Sequence, residues 1–163
     1  IRDARPDEAV LLGAIAFESK AYWGYGPALM AGWREDLVPR LEPMDRRPAF
    51  VAERAGVVAG FGQVVLEGDV PELAHLWVRP AFIGRGIGRA LLDHATAMLL
   101  GRGYARMRID ADPNAEAFYR HCGARRAGVV AAPIAGEPDR VRPQMTLILA
   151  PQAPPSMNDG RSR

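Results

Sequence analysis

In the stretch Ile83-Gly84-Arg85-Gly86-Ile87-Gly88-Arg89 every second residue is glycine, and it separates a β-rich run from an apolar helical one. Glycines there strip side-chain cover from the backbone just where a helix opens, and the first amides of a helix have no intrahelical acceptor. Those N–H groups and the positive end of the helix dipole point outward together, which makes an anion site. Arg85 and Arg89 stand about one helical turn apart and add charge suited to a phosphate. The spacing is not a dinucleotide fingerprint, because Arg89 stands where the third glycine of G-x-G-x-x-G falls. The Lys-Ser/Thr of a P-loop is absent too, which weakens a mononucleotide-binding reading. A tight turn without a ligand would use the same glycines.

The other reactive side chains are sparse. Cys122 is the single cysteine, so neither an intramolecular disulfide nor a multi-cysteine metal site can form. No His–Asp arrangement adjoins it, and a small buried hydrophobe is its plainer role. His75, His94 and His121 show no ligand spacing such as H-E-x-x-H, so no metal is expected. The formal charge is +2, and acidic residues are interleaved among basic ones. Lys20 is the only lysine; Arg46-Arg47 and Arg125-Arg126 are pairs rather than patches. That pattern argues against nucleic acid. The most apolar helical stretch, Ala90–Leu100, contains Asp93 and His94 and is too short to span a bilayer, so no membrane partner is expected. The charged opening (Arg2, Asp3, Arg5, Asp7, Glu8) is unlike a secretory leader, and a lone cysteine suits a reducing compartment. A cytoplasmic location is the expectation.

A second block lies downstream: Asp112-Pro113-Asn114-Ala115-Glu116-Ala117-Phe118-Tyr119, closed by Cys122-Gly123-Ala124. With Leu76-Trp77-Val78-Arg79-Pro80 and the glycine turn, it resembles the GNAT acetyltransferase family. That family's acetyl-CoA motif, (R/Q)-x-x-G-x-(G/A), follows a strand, and its later short helix carries an Asn and ends A-x-x-F-Y-x-x-x-G-A. The resemblance covers roughly residues 1–150 in element order. Ile83 departs from it, standing where the family has Arg or Gln.

The resemblance implies acetyl-CoA as co-substrate. Its pantetheine would pair with backbone of Leu76, Trp77 and Val78, in a V-shaped opening between the strands Glu72–Arg79 and Ala105–Ala111. Its pyrophosphate would sit on the turn of Ile83, Gly84, Arg85, Gly86, Ile87, Gly88 and Arg89, with Asn114 and Phe118 completing the cofactor side. The reaction implied is direct attack of an amine, on a small molecule or a peptide, at the thioester. An ammonium of pKa about 10.4 must first lose a proton. Glu72 is the first candidate base, with a solvated strand-start residue as its plain alternative. His75 is the second, with an ordinary pKa of about 6.5. Regular alternation sets the two on opposite faces, and a bulge between them would reverse that. Tyr119 resembles the family's general acid toward the departing thiolate. With reference values of about 10 for phenol and 8.5 for thiol, full transfer is uphill by roughly 2 kcal/mol, so hydrogen-bond donation is the safer role. Its plain alternative is packing beside Phe118. A reading from another class is a non-catalytic acyl-CoA-binding module, favoured by Ile83 and opposed by Tyr119 and Glu72.

The elements that must position these residues follow from periodicity and punctuation. Ile1–Ala4 predicts a short strand, and Pro6 with Asp7 and Glu8 opens a helix to about Ser19. The aromatic loop Tyr22–Gly26 leads to a second helix over about Pro27–Leu41. Strands are predicted over Ala49–Arg54, Val57–Leu66 and Glu72–Arg79, with Gly60 and Gly62 weakening the second or marking a bulge. A helix over Gly86–Leu100, a strand over Ala105–Ala111 and a short helix capped by Asp112 come next. Strands near Arg126–Ala131 and Gln144–Leu149 end the order βααβββαβαββ. The fold expected is α/β (α+β): a mixed, mostly antiparallel twisted sheet flanked by helices, in one domain over residues 1–150. Residues 151–163, rich in Pro, Ser, Asn and Gly, are expected to form a disordered tail. The acceptor would be held by the aromatic loop with Trp33 behind it, and by the loop Ala131–Pro143. Glu18, Glu35 and Asp36 would attract its amine. A homodimer is compatible with the sequence.

Overall fold

The computed structural model describes residues 1–149; the tail lies outside the described residues. The elements are β1 (Arg2–Asp3), α1 (Ala9–Ala21), α2 (Pro27–Gly32), β2 (Ala49–Arg54), β3 (Val57–Val65), β4 (Glu72–Val78), α3 (Ile87–Gly101), β5 (Arg106–Asp110), α4 (Glu116–His121), β6 (Arg125–Ala131) and β7 (Val141–Ile148). A 3-10 turn at Pro6–Glu8 leads into α1, and another at Pro113–Ala115 leads into α4. The strands form one sheet in the order β1-β2-β3-β4-β5-β7-β6, antiparallel throughout except where β4 runs parallel to β5.

Helices cover both faces, and each face has its own apolar cluster. On one, Ile87, Leu91, Leu92, Ala95 and Leu99 of α3 pack with Phe50, Met107, Ile109 and Met145 of the sheet. These helix positions recur every three to four residues, the spacing of one helical face. On the other face, Leu12, Ile15 and Ala16 of α1 meet Val51 and Phe61. β3, covered from both sides, is buried from Val58 to Val64.

Gly60 and Gly62 serve this packing, and Gly60 also adjoins a bulge: Ala52 pairs with Gly60 and Glu53 with Val58, which leaves Ala59 as an extra residue in β3. A Cβ on Gly60 would meet the Trp77 carbonyl oxygen at 2.6 Å, and one on Gly62 would meet the Phe50 ring at 2.5 Å. A second register shift follows Gly62: Gln63 pairs with His75 and Val64 with Leu73, which leaves Ala74 as an extra residue in β4.

The second helix is shorter than its sequence predicts. α2 ends at Gly32, and residues 33–37 form turns. Gly32 is a poor helix former, and Pro39, with no N–H to donate, disfavours helix at Val38 and beyond. Arg34 N–H already bonds three residues back, to Ala31 at 3.4 Å, as the helix tightens and stops.

β4 and β5 meet at a single pair, Glu72 with Arg108, backed by Arg108 N–H to the Pro71 carbonyl at 2.9 Å. Beyond it the two strands share no ladder. The sheet therefore opens in its middle, between the strand that feeds the glycine turn and the strand that feeds α4.

Candidate functional site: a cavity between the splayed strands

A cavity of about 340 Å³ occupies this opening. β4 contributes Leu73, Ala74, Leu76 and Trp77; β5 and its exit contribute Ile109, Asp110, Ala111 and Asp112. Tyr119 of α4 lines it, as do Lys20, Trp33 and Asp36 from the first helical layer. Ala132–Ile134, Arg140 and Arg142 close it from the last loop. The bulge residue Ala74 stands in this wall. An unladdered β4 edge leaves backbone N–H and C=O groups free to pair with an extended ligand.

The glycine turn has the geometry of an anion cradle. Gly84 has φ 77° and Gly86, the N-cap of α3, has φ 78°, both in the left-handed region that glycine alone adopts without cost. Nothing lies within 4 Å of a Cβ built on either, so conformation rather than crowding selects glycine. Gly88 is different: a Cβ built on it would touch the Phe118 ring at 3.4 Å, an ordinary contact between α3 and α4. No backbone carbonyl among the described residues accepts from the amides of Gly86, Ile87, Gly88 or Arg89. The Ile87 side chain is buried in the core, so only its amide faces outward. Ile83 is 38% exposed, and Arg85 lies over the Phe82 ring at 5.8 Å. Arg89 is already paired with Asp93 at 2.8 Å.

Tyr119 is 6% exposed, with its ring edge-on to Phe118 at 5.1 Å. Burial pushes its phenol well above the ordinary tyrosine value, so the hydroxyl stays a proton donor. None of the side-chain hydrogen bonds among the described residues engages the hydroxyl of Tyr119, which lines the cavity.

Glu72 and His75 do not line the cavity. The bulge at Ala74 does set them on the same face: His75 stacks on Phe61 at 5.8 Å, whereas Leu73 packs into the opposite cluster. The Glu72 carboxylate is tied to Arg108 at 2.5 Å. His75 accepts at Nδ1 from the Trp77 indole N–H at 3.0 Å, which leaves its proton on Nε2. Burial lowers its pKa to about 4, so it is neutral at ordinary pH and a weak proton acceptor. The carboxylate that does line the cavity from β5 is Asp110, held by Gln144 Nε2 at 3.2 Å and by Arg142 at 3.8 Å.

Asp112 is the N-cap that its sequence context predicts, accepting from Asn114 N–H at 3.0 Å. It is also the centre of a network. Lys20 Nζ lies 3.0 Å from its carboxylate, and the Tyr25 hydroxyl donates to it at 2.9 Å. Asn114 Nδ2 donates to it at 3.0 Å and reaches the Tyr25 hydroxyl at 3.2 Å. The Lys20 ammonium stands 4.3 Å from the Trp33 ring and 4.8 Å from the Tyr25 ring, and those rings meet edge to face at 5.1 Å. The Asp112 carboxyl stays below its ordinary value: desolvation alone would raise it, and Lys20 with the hydrogen bonds outweighs that. Asp110, Lys20 and Arg140 escape sequence reasoning, because nothing local to Lys20 announces a partner 92 positions away.

A family model for the acetyltransferase (GNAT) family matches residues 19–124, more than half of the chain. None of the curated proteins matches it. A GCN5-related N-acetyltransferase from Rhodopseudomonas palustris is 25% identical with a TM-score of 0.74, the match covering 91% of this chain and 94% of that one. The PaiA N-acetyltransferase from Thermoplasma acidophilum, in complex with coenzyme A, shares the fold at 18% identity and TM-score 0.67, covering 90% and 96%. The ribosomal-protein-S18-alanine N-acetyltransferase from Escherichia coli shares it at 20% identity and TM-score 0.68, covering 93% and 94%. A strand that leaves its neighbour, a left-handed glycine turn, an unpaired helix start and a buried tyrosine on the following short helix thus occur where the family model matches, and the chain belongs to the GNAT acetyltransferase family.

Proposed function

We propose that the protein transfers an acetyl group from acetyl-CoA to an amine of a small molecule or peptide. The observation that carries this reading is the cavity itself, where the free edge of β4 at the Ala74 bulge, the Tyr119 donor and the Asp110 carboxylate meet. The pantetheine arm would pair with β4 at Leu76–Val78, and the pyrophosphate would take the free amides from Gly86 to Arg89. Arg85 is exposed beside that turn and would add charge; Ile83 contributes its backbone.

In the reaction the amine nitrogen attacks the thioester carbonyl carbon, the carbon–sulfur bond of the tetrahedral intermediate breaks, and the thiolate leaves. Tyr119 is the donor to that thiolate, and its raised pKa makes hydrogen bonding rather than complete transfer its part. A base must be within reach of the proton it takes. Asp110 stands in the cavity wall, which neither Glu72 nor His75 lines, and that placement favours it.

Calorimetry with acetyl-CoA on Gly86→Asp and Gly86→Asn tests the reading. Asn tolerates the left-handed conformation and adds no charge, so its affinity should fall little; Asp sets a carboxylate against the pyrophosphate and should weaken binding at least about tenfold. Equal affinities would move the ligand away from this turn.

A further inference from the structure

We infer that the acceptor carries a carboxylate as well as its amine, and that Arg140, with Lys20 beside it, binds that carboxylate in the cavity. The inference rests on the acetyl-transfer reading for the amine and on charge balance for the anion. Three charged side chains are deeply buried where the cavity passes under the first helical layer: Lys20 at 12% exposure, Asp112 at 9% and Arg140 at 7%. Two are positive and one is negative.

Asp112 cannot neutralise both cations. A carboxylate has about four lone-pair sites. Here they are taken by Lys20, the Tyr25 hydroxyl, and the backbone and side-chain N–H groups of Asn114. Arg140 is left 3.8 Å away. It donates instead to two neutral oxygens, the Ala132 carbonyl at 3.0 Å and the Tyr25 hydroxyl at 3.1 Å. A guanidinium has five N–H donors in a planar fork, and Arg140, which lines the cavity, uses two of them in these bonds.

Tyr25 does not supply the missing charge. Desolvation raises its pKa above the ordinary value, so it remains a neutral phenol. The remaining cavity acids do not supply it either. Asp110 is engaged by Arg142 and Gln144, and Asp36 is exposed to solvent. A buried cation with no anion in hydrogen-bond contact is costly, and a planar guanidinium matches a carboxylate with two parallel bonds. The cavity, about 340 Å³, is at the small end of ligand sites and suits an amino-acid-sized molecule. Asp36 at the mouth would draw the amine, so the two charges of a zwitterion meet complementary ends.

The test compares free amino acids with their carboxamides, which keep the amine and lose only the negative charge. Two readouts are taken: thiol release from acetyl-CoA, and the thermal shift produced by N-acetylated acids and N-acetylated amides with coenzyme A present. The expected result is a kcat/KM about ten- to a hundredfold higher for acids, carried by KM, and a thermal shift from acetylated acids alone. Arg140→Gln should erase the acid preference, read as the ratio of acid to amide kcat/KM within that variant, and Arg140→Lys should keep part of it. Equal turnover of acids and amides, with equal thermal shifts, overturns the carboxylate site while leaving amine acetylation intact. A thermal shift specific to acids without turnover of any amine keeps the carboxylate site and refutes the transfer reading. Neither turnover nor a shift refutes both.

Discussion

Tyr119 and Asp110 both line one cavity and would handle opposite charges. The phenol of Tyr119 is kept neutral by burial, so its donor function does not titrate in the working range. Tyr119→Phe removes the hydroxyl and keeps the ring against Phe118; kcat should fall about ten- to a thousandfold with acetyl-CoA affinity unchanged. Unchanged kcat would reduce Tyr119 to packing. Asp110→Asn should lower kcat/KM about a hundredfold at neutral pH, and the defect should shrink as pH rises and free amine accumulates. Glu72→Gln loosens only the pair with Arg108, half of which is solvent-exposed, so its turnover should stay within about threefold of the parent. If instead Glu72→Gln shows the pH-dependent defect and Asp110→Asn does not, the proton leaves by the N-terminal end of β4.

Two glycines separate packing from propensity. Gly62 faces the Phe50 ring, itself 1% exposed and unable to retreat, so Gly62→Ala should cost about 1–3 kcal/mol of stability. Gly32, in α2, has open space around its Cβ and an ordinary φ, so Gly32→Ala should be neutral or stabilise by up to about 1 kcal/mol. Chemical denaturation of both reads this; a neutral Gly62→Ala would mean that the sheet has slack. Legibility from sequence divides along the same line. The strands, α3 and the cap at Asp112 were readable because each follows from local period or punctuation: the apolar stripe from Ile87 to Leu99, or Asp112 before Pro113. The end of α2 at Gly32 was not, since the apolar residues Leu37 and Leu41 are buried and mimic a continued helical stripe. The bulge at Ala74 depends on cross-strand register, and the Lys20–Asp112–Arg140 network on three segments distant in sequence. No local pattern encodes either.

Across the whole molecule, histidines and paired carboxylates should shape the acid limb of stability in different windows, His75 and Glu8 most strongly. His75 lies between Phe61 and the Trp77 indole, and burial lowers its pKa from about 6.5 to about 4. The folded state thus resists protonation of His75 more than the unfolded chain does. Its contribution is fully present above pH 6.5 and is lost as pH falls toward 4, on the order of 3 kcal/mol in all. Half-buried His94, also lowered by desolvation, acts in the same direction. Glu8 works lower. The Arg2 guanidinium at 2.7 Å, with the Arg5 backbone N–H, outweighs desolvation and holds its carboxyl at about 2. That stability is present above the ordinary carboxylate range and disappears as pH falls from about 4.5 to about 2. Urea denaturation between pH 8 and 3 should therefore show a decline that begins near neutrality and steepens below pH 4.5. In His75→Phe the upper part of that decline should flatten, because no proton is taken up at that site on unfolding. In Glu8→Gln the upper part should persist and the lower part should weaken. A parent-like slope between pH 6.5 and 4 in His75→Phe would show that His75 is reached by solvent and titrates normally. The same variant keeps an aromatic ring on Phe61 but removes the acceptor for the Trp77 N–H, so any pH-independent loss isolates that hydrogen bond, about 1 kcal/mol.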